Sequence, residues 1–430
     1  MGWPAAQTGH HHNGGGGRYF LVSSHPPSVP PALASLTTPT TVNNAHRLGL
    51  APIATPERLL LGPGPSNAHP VVLEALARSP IGHLDPLYIE LMGEVQELLR
   101  YVWQTDNRLT IPMSGTGSAA MEATLANTVE PGDTVLVAVM GYFGLRLAEM
   151  AGRYRAEVIT IERPWGEAFS LDELEAALQE HKPTILAMVH AETSTGVCQP
   201  MEGIGELCRR HDCLLLLDTV TSLGGVPLYL DEWKVDLAYS CSQKGLSCPP
   251  GLGPFTMGPR AELKLMNRQG KVPNWYLDVS LLNQYWGSDR VYHHTAPVNM
   301  NFGIREALRL LADEGIEASW ARHRSNAERL WAGLESLGLE LHVPAELRLP
   351  TLTTVRIPEG VDGKAFSRHL LDRHGIEIGG GLGVLAGKIW RIGLMGYNST
   401  PENVDRLLNL LETELPAFRP SQAPLAAVGA

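Results

Sequence analysis

Cysteine is scarce in this 430-residue chain: there are five, Cys198, Cys208, Cys213, Cys241 and Cys248, with no C-x-x-C pair and no histidines at zinc spacing beside them. Such usage gives neither a disulfide framework nor a thiolate zinc site; it reads as reduced thiols in a cytosol-like compartment. No apolar run approaches the roughly 18–20 residues that a membrane helix needs. Basic residues are outnumbered, 34 Lys and Arg against 45 Asp and Glu, for a formal charge of −11. With a pI near 5.8, the chain lacks the basic excess of a dedicated nucleic-acid binder. It does not lack hydrophobic residues, which at 44% suffice for a sizeable core. At roughly 100–200 residues per domain the length predicts two or three domains.

The ends of the chain differ from its middle. Residues 1–50 hold Gly14–Gly17, the triplet His10-His11-His12 and a Pro/Ser/Thr/Val mixture without period, and read as a disordered leader. The triplet is either a metal-binding or tag-like run or part of a flexible tail. A basic start followed by an unbroken apolar segment is missing, so a secretory signal is not expected. Residues 419–430, rich in Pro and Ala, read as a flexible tail. The ending Val428-Gly429-Ala430 is not the Ser-Lys-Leu peroxisomal address, and a cytoplasmic location is expected.

Between the ends, short apolar runs alternate with helical periodicity. Apolar residues at Leu91, Val95, Leu98, Leu99 and Val102 predict a helix over 88–103. Strands are predicted over 109–113, 134–140, 157–161, 184–190 and 213–218, with helices over 119–128, 145–154, 171–180 and 203–211 between them. The run Cys213–Asp218 is apolar enough to be buried on both faces. Alternation of this kind predicts an α/β sheet with helices on both faces. The last third predicts a smaller α+β domain: one long helical stretch over 302–337, strands over 339–343, 351–357 and 388–395, and helices over 364–374 and 401–415.

Three motifs fall at predicted strand ends. In Met113-Ser114-Gly115-Thr116-Gly117-Ser118, glycines let backbone approach an anion and a helix N-terminus offers unpaired N–H groups. The run has neither the Walker lysine nor G-x-G-x-x-G, and by itself it equally describes a capped helix after a tight turn. Asp218 ends a buried strand, where open α/β sheets place their ligands; a helix cap is the plainer reading. Lys244, in Ser242-Gln243-Lys244-Gly245, follows the apolar run 235–239. A desolvated lysine there is a nucleophile able to form a Schiff base, though most lysines are simply solvated. Phosphate cradle, carboxylate and lysine on one sheet are together the needs of pyridoxal phosphate.

The order of these motifs resembles the fold-type I pyridoxal-phosphate enzymes of the class V aminotransferase group, and within it the alanine–glyoxylate / serine–pyruvate aminotransferases. The strings that carry the resemblance are LLLGPGPSN at 59–67, EPGDTVLV at 130–137, STGVCQP at 194–200, SLGGVPLY at 222–229, SQKGLSCPPG at 242–251, YHHTAPV at 292–298 and RIGLMG at 391–396. They span about 59–415.

The resemblance implies a large domain over 51–300 with a mostly parallel seven-stranded sheet. Its segment 51–70 lines the site and a dimer interface, and a small C-terminal domain covers 301–418. It implies pyridoxal 5′-phosphate as cofactor, held by Lys244 through the aldehyde, with Lys244 later shuttling the proton. Asp218 pairs with the ring nitrogen, Val220 packs on a ring face and Ser194 bonds the phenolate oxygen. Thr116, Gly117, Ser118 and Gln243 hold the phosphate, although relatives often have histidine where Ser118 stands. Phe143 falls where many relatives stack a tryptophan, and keeps the ring but not the indole N–H. Tyr292 and Thr295 match residues that reach the phosphate from a partner subunit, which implies a homodimer with shared active sites.

Arg391 matches the clamp on the substrate carboxylate, a bidentate fork. Gly64 borders the substrate and leaves room for a small side chain; Ser194 is expected there as well. His293 and His294, adjacent on a presumed strand, would point opposite ways and are expected to be structural, as are Cys241 and Cys248.

The implied activity is transamination from a small L-amino acid, alanine or serine, to glyoxylate or pyruvate in a ping-pong cycle, with no nucleic-acid or membrane partner. A cysteine desulfurase needs a nucleophilic cysteine in the C-terminal region, where this chain has none after Cys248. A non-catalytic accessory subunit is expected to have lost Lys244, Asp218 or Arg391, and all three are present.

Overall fold

The computed structural model describes residues 47–418. The expected leader over 1–50, apart from 47–50, lies outside the described residues, as does the tail over 419–430. From Pro56 onward the described residues form one compact unit.

Its centre is a seven-stranded sheet. In chain order the strands are β1 (Leu109–Ser114), β2 (Thr134–Val139), β3 (Glu157–Glu162), β4 (Ile185–Val189), β5 (Leu214–Asp218), β6 (Leu237–Tyr239) and β7 (Leu252–Met257). They lie side by side as β1-β7-β6-β5-β4-β2-β3. Only β7 runs antiparallel to its neighbours. Residues 185–189 and 214–218 are buried without exception, as strands covered by helices on both faces must be. This is the α/β architecture expected from the alternation, and β7 is a strand that the periodicity does not reveal. Its sequence Leu252-Gly253-Pro254-Phe255-Thr256-Met257 carries turn residues. Gly253 is required in this strand because a Cβ would lie 2.8 Å from Thr116 O and 2.7 Å from Ala120 Cβ of the helix above it.

Two hydrophobic clusters fill the unit. The larger surrounds the seven-stranded sheet and takes in Tyr88, Val95, Leu99 and Trp103 from helix Pro86–Trp103. The smaller lies under a three-stranded antiparallel sheet, Leu352–Arg356, Ile389–Gly393 and Gly379–Gly380, and includes Leu61, Phe366, Trp390 and Leu407. Helix Ile316–Ser336 belongs to both: Trp320 packs in the first cluster, Leu330 and Leu334 in the second.

Two expectations for the last third are corrected. The helical stretch over 302–337 is two helices, Val298–Glu314 and Ile316–Ser336. Gly315, at φ +88°, breaks the run in a conformation that glycine adopts without steric cost. The strand over 339–343 is absent. Leu341 makes a single bridge to Val355, flanked by His342 N–H to Thr354 O and Arg356 N–H to Glu340 O, and Pro344, which has no N–H, cannot continue a ladder.

Candidate active site

The C-terminal ends of β1, β4, β5 and β6 open on a cavity of about 330 Å³, at the edge where open α/β sheets bind ligands. Thr116, Gly117, Ser118, Phe143, Asp218, Val220, Gln243, Lys244, Arg391 and Gly64 all line it. Residues more than three hundred positions apart in sequence are thus gathered by strand ends and the turns that leave them.

Lys244 sits in the turn after β6 and is 7% exposed. Burial lowers its pKa, against the pull of Cys241 and Asp218. Its Nζ lies 3.3 Å from Thr193 Oγ1 and 3.3 Å from Thr221 Oγ1. Both partners are neutral hydroxyls, so the amine is held without a carboxylate at hydrogen-bonding distance. The loop over 62–67 is clamped across this turn: Ser66 N–H donates to Gln243 O at 2.9 Å and Ser66 Oγ to Lys244 O at 2.8 Å. At Gly64, φ is +109° and a Cβ would stand 3.0 Å from Lys244 Cε, so a larger residue would press on the lysine.

Asp218 ends β5 opposite Tyr239 of β6. Its Oδ2 accepts from the Tyr239 hydroxyl at 2.5 Å and its Oδ1 from Val220 N–H at 2.8 Å. Burial pushes its carboxyl up to about 6, while Tyr239, Val220, Lys244 and Arg146 pull it down. Arg391 comes from the small sheet and is 6% exposed. Nε donates to Gly380 O at 2.7 Å and Nη1 to Thr193 O at 3.2 Å, which leaves donors of the five-proton fork for the cavity. Burial lowers its pKa to about 10, opposed by Glu192, so it remains cationic at neutral pH.

A phosphate-bearing pyridine aldehyde calls for an anion cradle, an amine and a carboxylate around one cavity. Thr116 caps helix Gly117–Thr128 without a side-chain bond to its first turn, so backbone N–H groups and the Thr116 and Ser118 hydroxyls there are unspent. At Gly117 a Cβ would lie 2.7 Å from Cys241 Cβ and 3.2 Å from Ser240 O, so glycine lets the helix start sit directly on the strand end. Gln243 Oε1 is buried without a partner. Anion cradle, buried amine and buried carboxylate border one cavity, and the residues fit the group.

Three expected site residues do not line this cavity, and for two of them, Tyr292 and Thr295, the expected place is the cavity of a partner subunit. Ser194 is fully buried but does not line the cavity. Its hydroxyl donates to Glu192 Oε1 at 2.7 Å and accepts from Tyr142 N–H at 2.9 Å. The hydroxyls that face Lys244 are those of the preceding residue, Thr193, and of Thr221. Tyr292 and Thr295 are off the cavity of their own chain. Their hydroxyls are 3.4 Å apart, and Tyr292 is 56% exposed. His293 and His294 do not diverge as a strand would make them. They lie in a loop with their Nδ1 atoms 2.9 Å apart, and His294 Nε2 reaches Ser114 Oγ at 2.7 Å.

Sequence reasoning missed Thr193, Thr221, Tyr239, Arg146 and Glu192. Glu192 is wholly buried and accepts from Ser194 N–H at 2.9 Å and Phe143 N–H at 3.2 Å. It thereby holds the start of helix Tyr142–Arg153, whose first turns carry Phe143 and Arg146 into the cavity. The Arg146 guanidinium lies 4.9 Å from the Phe143 ring centroid. Gly141 is required beside them, since a Cβ would meet Glu192 Cγ at 2.3 Å. The one signal in the sequence was an acidic residue two positions after a predicted buried strand.

The fold and the strand-end constellation define a class, the pyridoxal-phosphate-dependent aminotransferases. The chain belongs to the class V aminotransferase family, whose sequence model matches residues 69–407. It is similar to an alanine–glyoxylate aminotransferase of Mus musculus, 45% identical over 85% of this chain and 89% of that protein. A (S)-ureidoglycine–glyoxylate transaminase of Bacillus subtilis is 39% identical over 85% of this chain and 92% of the relative. The crystal structure of an alanine–glyoxylate aminotransferase from Nostoc sp. superposes with a TM-score of 0.86 at 66% identity, over 86% of this chain and 99% of that one.

Proposed function

We propose that this aminotransferase moves the amino group of a small L-amino acid, alanine and to a lesser degree serine, to glyoxylate, giving glycine and a 2-oxo acid. The observation that carries it is the convergence of Lys244, Asp218 and Arg391 on one small cavity with an unspent helix N-terminus. The similarity to alanine–glyoxylate aminotransferases supports the choice of substrates.

Bound pyridoxal phosphate supplies an aldehyde for the amine and a ring that takes up the electron pair left by a departing Cα proton. The Thr116–Ser118 helix start and Gln243 would hold the phosphate, Asp218 would keep a proton on the ring nitrogen, and Phe143 and Val220 would supply apolar contact to the ring. Arg391 binds the substrate carboxylate and so fixes the Cα–H toward Lys244 Nζ. With its pKa lowered by burial, that amine takes the Cα proton and returns it on the cofactor side, general acid–base work at close range. Gly64, which has no side chain, borders the same cavity as Arg391, which accords with a donor side chain of alanine or serine size. A hydrophobic pocket separates two ligands that differ by one hydroxyl only about a hundredfold, so overlapping use of the two donors is expected.

Tyr292 and Thr295 complete the phosphate site from a second copy in this proposal, which makes the working unit a homodimer. The exposure of Trp275, Tyr276 and Tyr292 near one another in sequence supports a covered face there. No helix among the described residues is long and apolar enough to cross a membrane, and five unpaired cysteines accord with the cytoplasm.

The test is the visible absorption band of the protein with pyridoxal phosphate, recorded on adding L-alanine, L-serine and L-cysteine separately. Bleaching by alanine or serine and recovery with glyoxylate is the expected outcome. A band that neither donor alters overturns the substrate assignment, and bleaching by cysteine with sulfur release favours a lyase.

A further inference from the structure

A second cluster of titratable side chains lies in the C-terminal third, and none of its members lines the cavity described above. His369 and His374 sit on the last turns of helix Gly363–His374, and Glu414 is the last residue of helix Pro401–Glu414. The Glu414 carboxylate stands between the two imidazoles. Its Oε1 is 2.7 Å from His374 Nε2, and its Oε2 contacts His369 Nε2. One donor atom from each of the three residues lies within 4.8 Å of the others. Among the described residues this is the one place where three such side chains converge.

We propose that His369, His374 and Glu414 form a binding site for one divalent transition-metal ion of the zinc type, tying the last helix to helix Gly363–His374. Two imidazoles and one carboxylate are an established donor set for zinc, with a fourth position left to water. Ligands on a tetrahedral ion at about 2.0–2.2 Å stand roughly 3.3 Å apart. The three donor atoms already lie within 4.8 Å of one another, close to that spacing. The imidazole rings are 5.7 Å apart at 66°, which lets both Nε2 atoms turn toward one point. The three side chains are 29%, 27% and 27% exposed, open enough for an ion to enter. The Phe418 ring, 5.1 Å from His369, forms one apolar wall.

The plainer account is a pair of ordinary ion pairs. That account uses the carboxylate against one imidazole at a time, whereas a divalent ion would draw on a lone pair from each of the three converging side chains at once. The Arg406 side chain is engaged with His374 O at 2.8 Å through Nη2.

The experiment uses the full-length holoenzyme with His10, His11 and His12 changed to alanine, since that triplet binds metals itself. Zinc sulfate is the probe, read by equilibrium dialysis with metal analysis and by the thermal midpoint with and without zinc. The expected result is saturable binding of close to one zinc per chain, and a Tm that rises with free zinc, as linkage requires. His374→Gln and Glu414→Gln should each weaken binding at least roughly tenfold, the loss that even outer-shell partners of a metal carry, and should abolish the rise in Tm. Absence of saturable binding up to about 100 μM zinc, where linkage should be readable, overturns the proposal. So does binding that both substitutions leave unchanged. The zinc-free melt checks folding, and His369→Gln replaces a variant that fails it. No substrate is present, so the outcome is independent of the transaminase reading.

Discussion

Two regions border the cavity and differ in kind. The strand ends, with Thr116–Ser118, Asp218 and Gln243–Lys244, present groups whose chemistry is visible in the residue type. The turn over 190–196, together with the start of helix Tyr142–Arg153, presents groups that act by holding others. Glu192 fixes Phe143 and Ser194 through their N–H groups, and Thr193 borders both Lys244 Nζ and Arg391 Nη1. The strand ends are built from parallel strands that any buried apolar run specifies. The turn depends on which of two adjacent hydroxyls faces inward, and that is decided by backbone path alone. Reactive groups are therefore legible before their supports are.

Breaking the first region should have the largest effect. Lys244→Ala removes both the covalent anchor and the proton carrier. Turnover is expected to fall by at least roughly 10²–10⁴-fold, and the visible band of covalently held cofactor should be absent. Steady-state transamination near the wild-type rate would show that another group moves the proton.

Arg391→Ala should come next. Charge-assisted hydrogen bonds are worth about 1.5–3 kcal/mol, so KM for the amino donor and for the keto acceptor should both rise roughly 10- to 150-fold. One clamp serves both half-reactions. A rise for only one of the two would mean that Arg146, the other guanidinium lining the cavity, holds the second substrate.

The comparison sharpens at Thr193 and Ser194. The resemblance points to Ser194 and the geometry to Thr193. Thr193→Val should weaken cofactor affinity about 2- to 10-fold, the worth of one neutral hydrogen bond, and shift the pH at which the visible band changes, because the Lys244 amine loses a partner. Ser194→Ala should leave that spectral pH unchanged and act on stability, through the hydrogen bonds to Glu192 and Tyr142 N–H. The reverse pattern would restore the Ser194 assignment.

That exchange marks where sequence reading stops. The sheet was legible because Leu214-Leu215-Leu216-Leu217 and its neighbours have no other use than burial. Strand β7 was not, because Gly253 and Pro254 carry turn chemistry, yet the helix start at Thr116–Ala120 presses so closely that glycine is required in the strand. Likewise one apolar period runs across Gly315, and only its φ of +88° separates two helices. Lys244, Asp218 and Arg391 announce themselves by charge within or just after apolar strands, whereas Tyr239 enters the site only through its register opposite Asp218. Register and turn geometry are tertiary facts, and the residues they govern are the ones missed.

The effect least directly tied to turnover belongs to Glu192 and is read through pH. Burial pushes its carboxyl up to about 7 from an ordinary 4.5, against the hydrogen bonds from Ser194. A raised folded pKa means that between those values the folded chain holds a proton that the unfolded chain has lost. The stability this proton contributes is complete below about pH 4.5 and is lost as pH rises through about 7. Glu192→Gln cannot titrate, so its Tm should vary less between pH 5 and 7.5 than that of the wild type. It replaces the protonated carboxyl by an amide whose N–H₂ faces the Phe143 N–H less well, so its midpoint at pH 5 should lie below the wild-type value and the two should converge toward pH 7.5. Glu192→Ala leaves the Phe143 and Ser194 N–H groups without their acceptor and should cost about 1–3 kcal/mol across the whole range. Parallel pH profiles for wild type and Glu192→Gln would mean that Asp218, also raised by burial, carries the slope, and that the support at the helix start is ionised throughout.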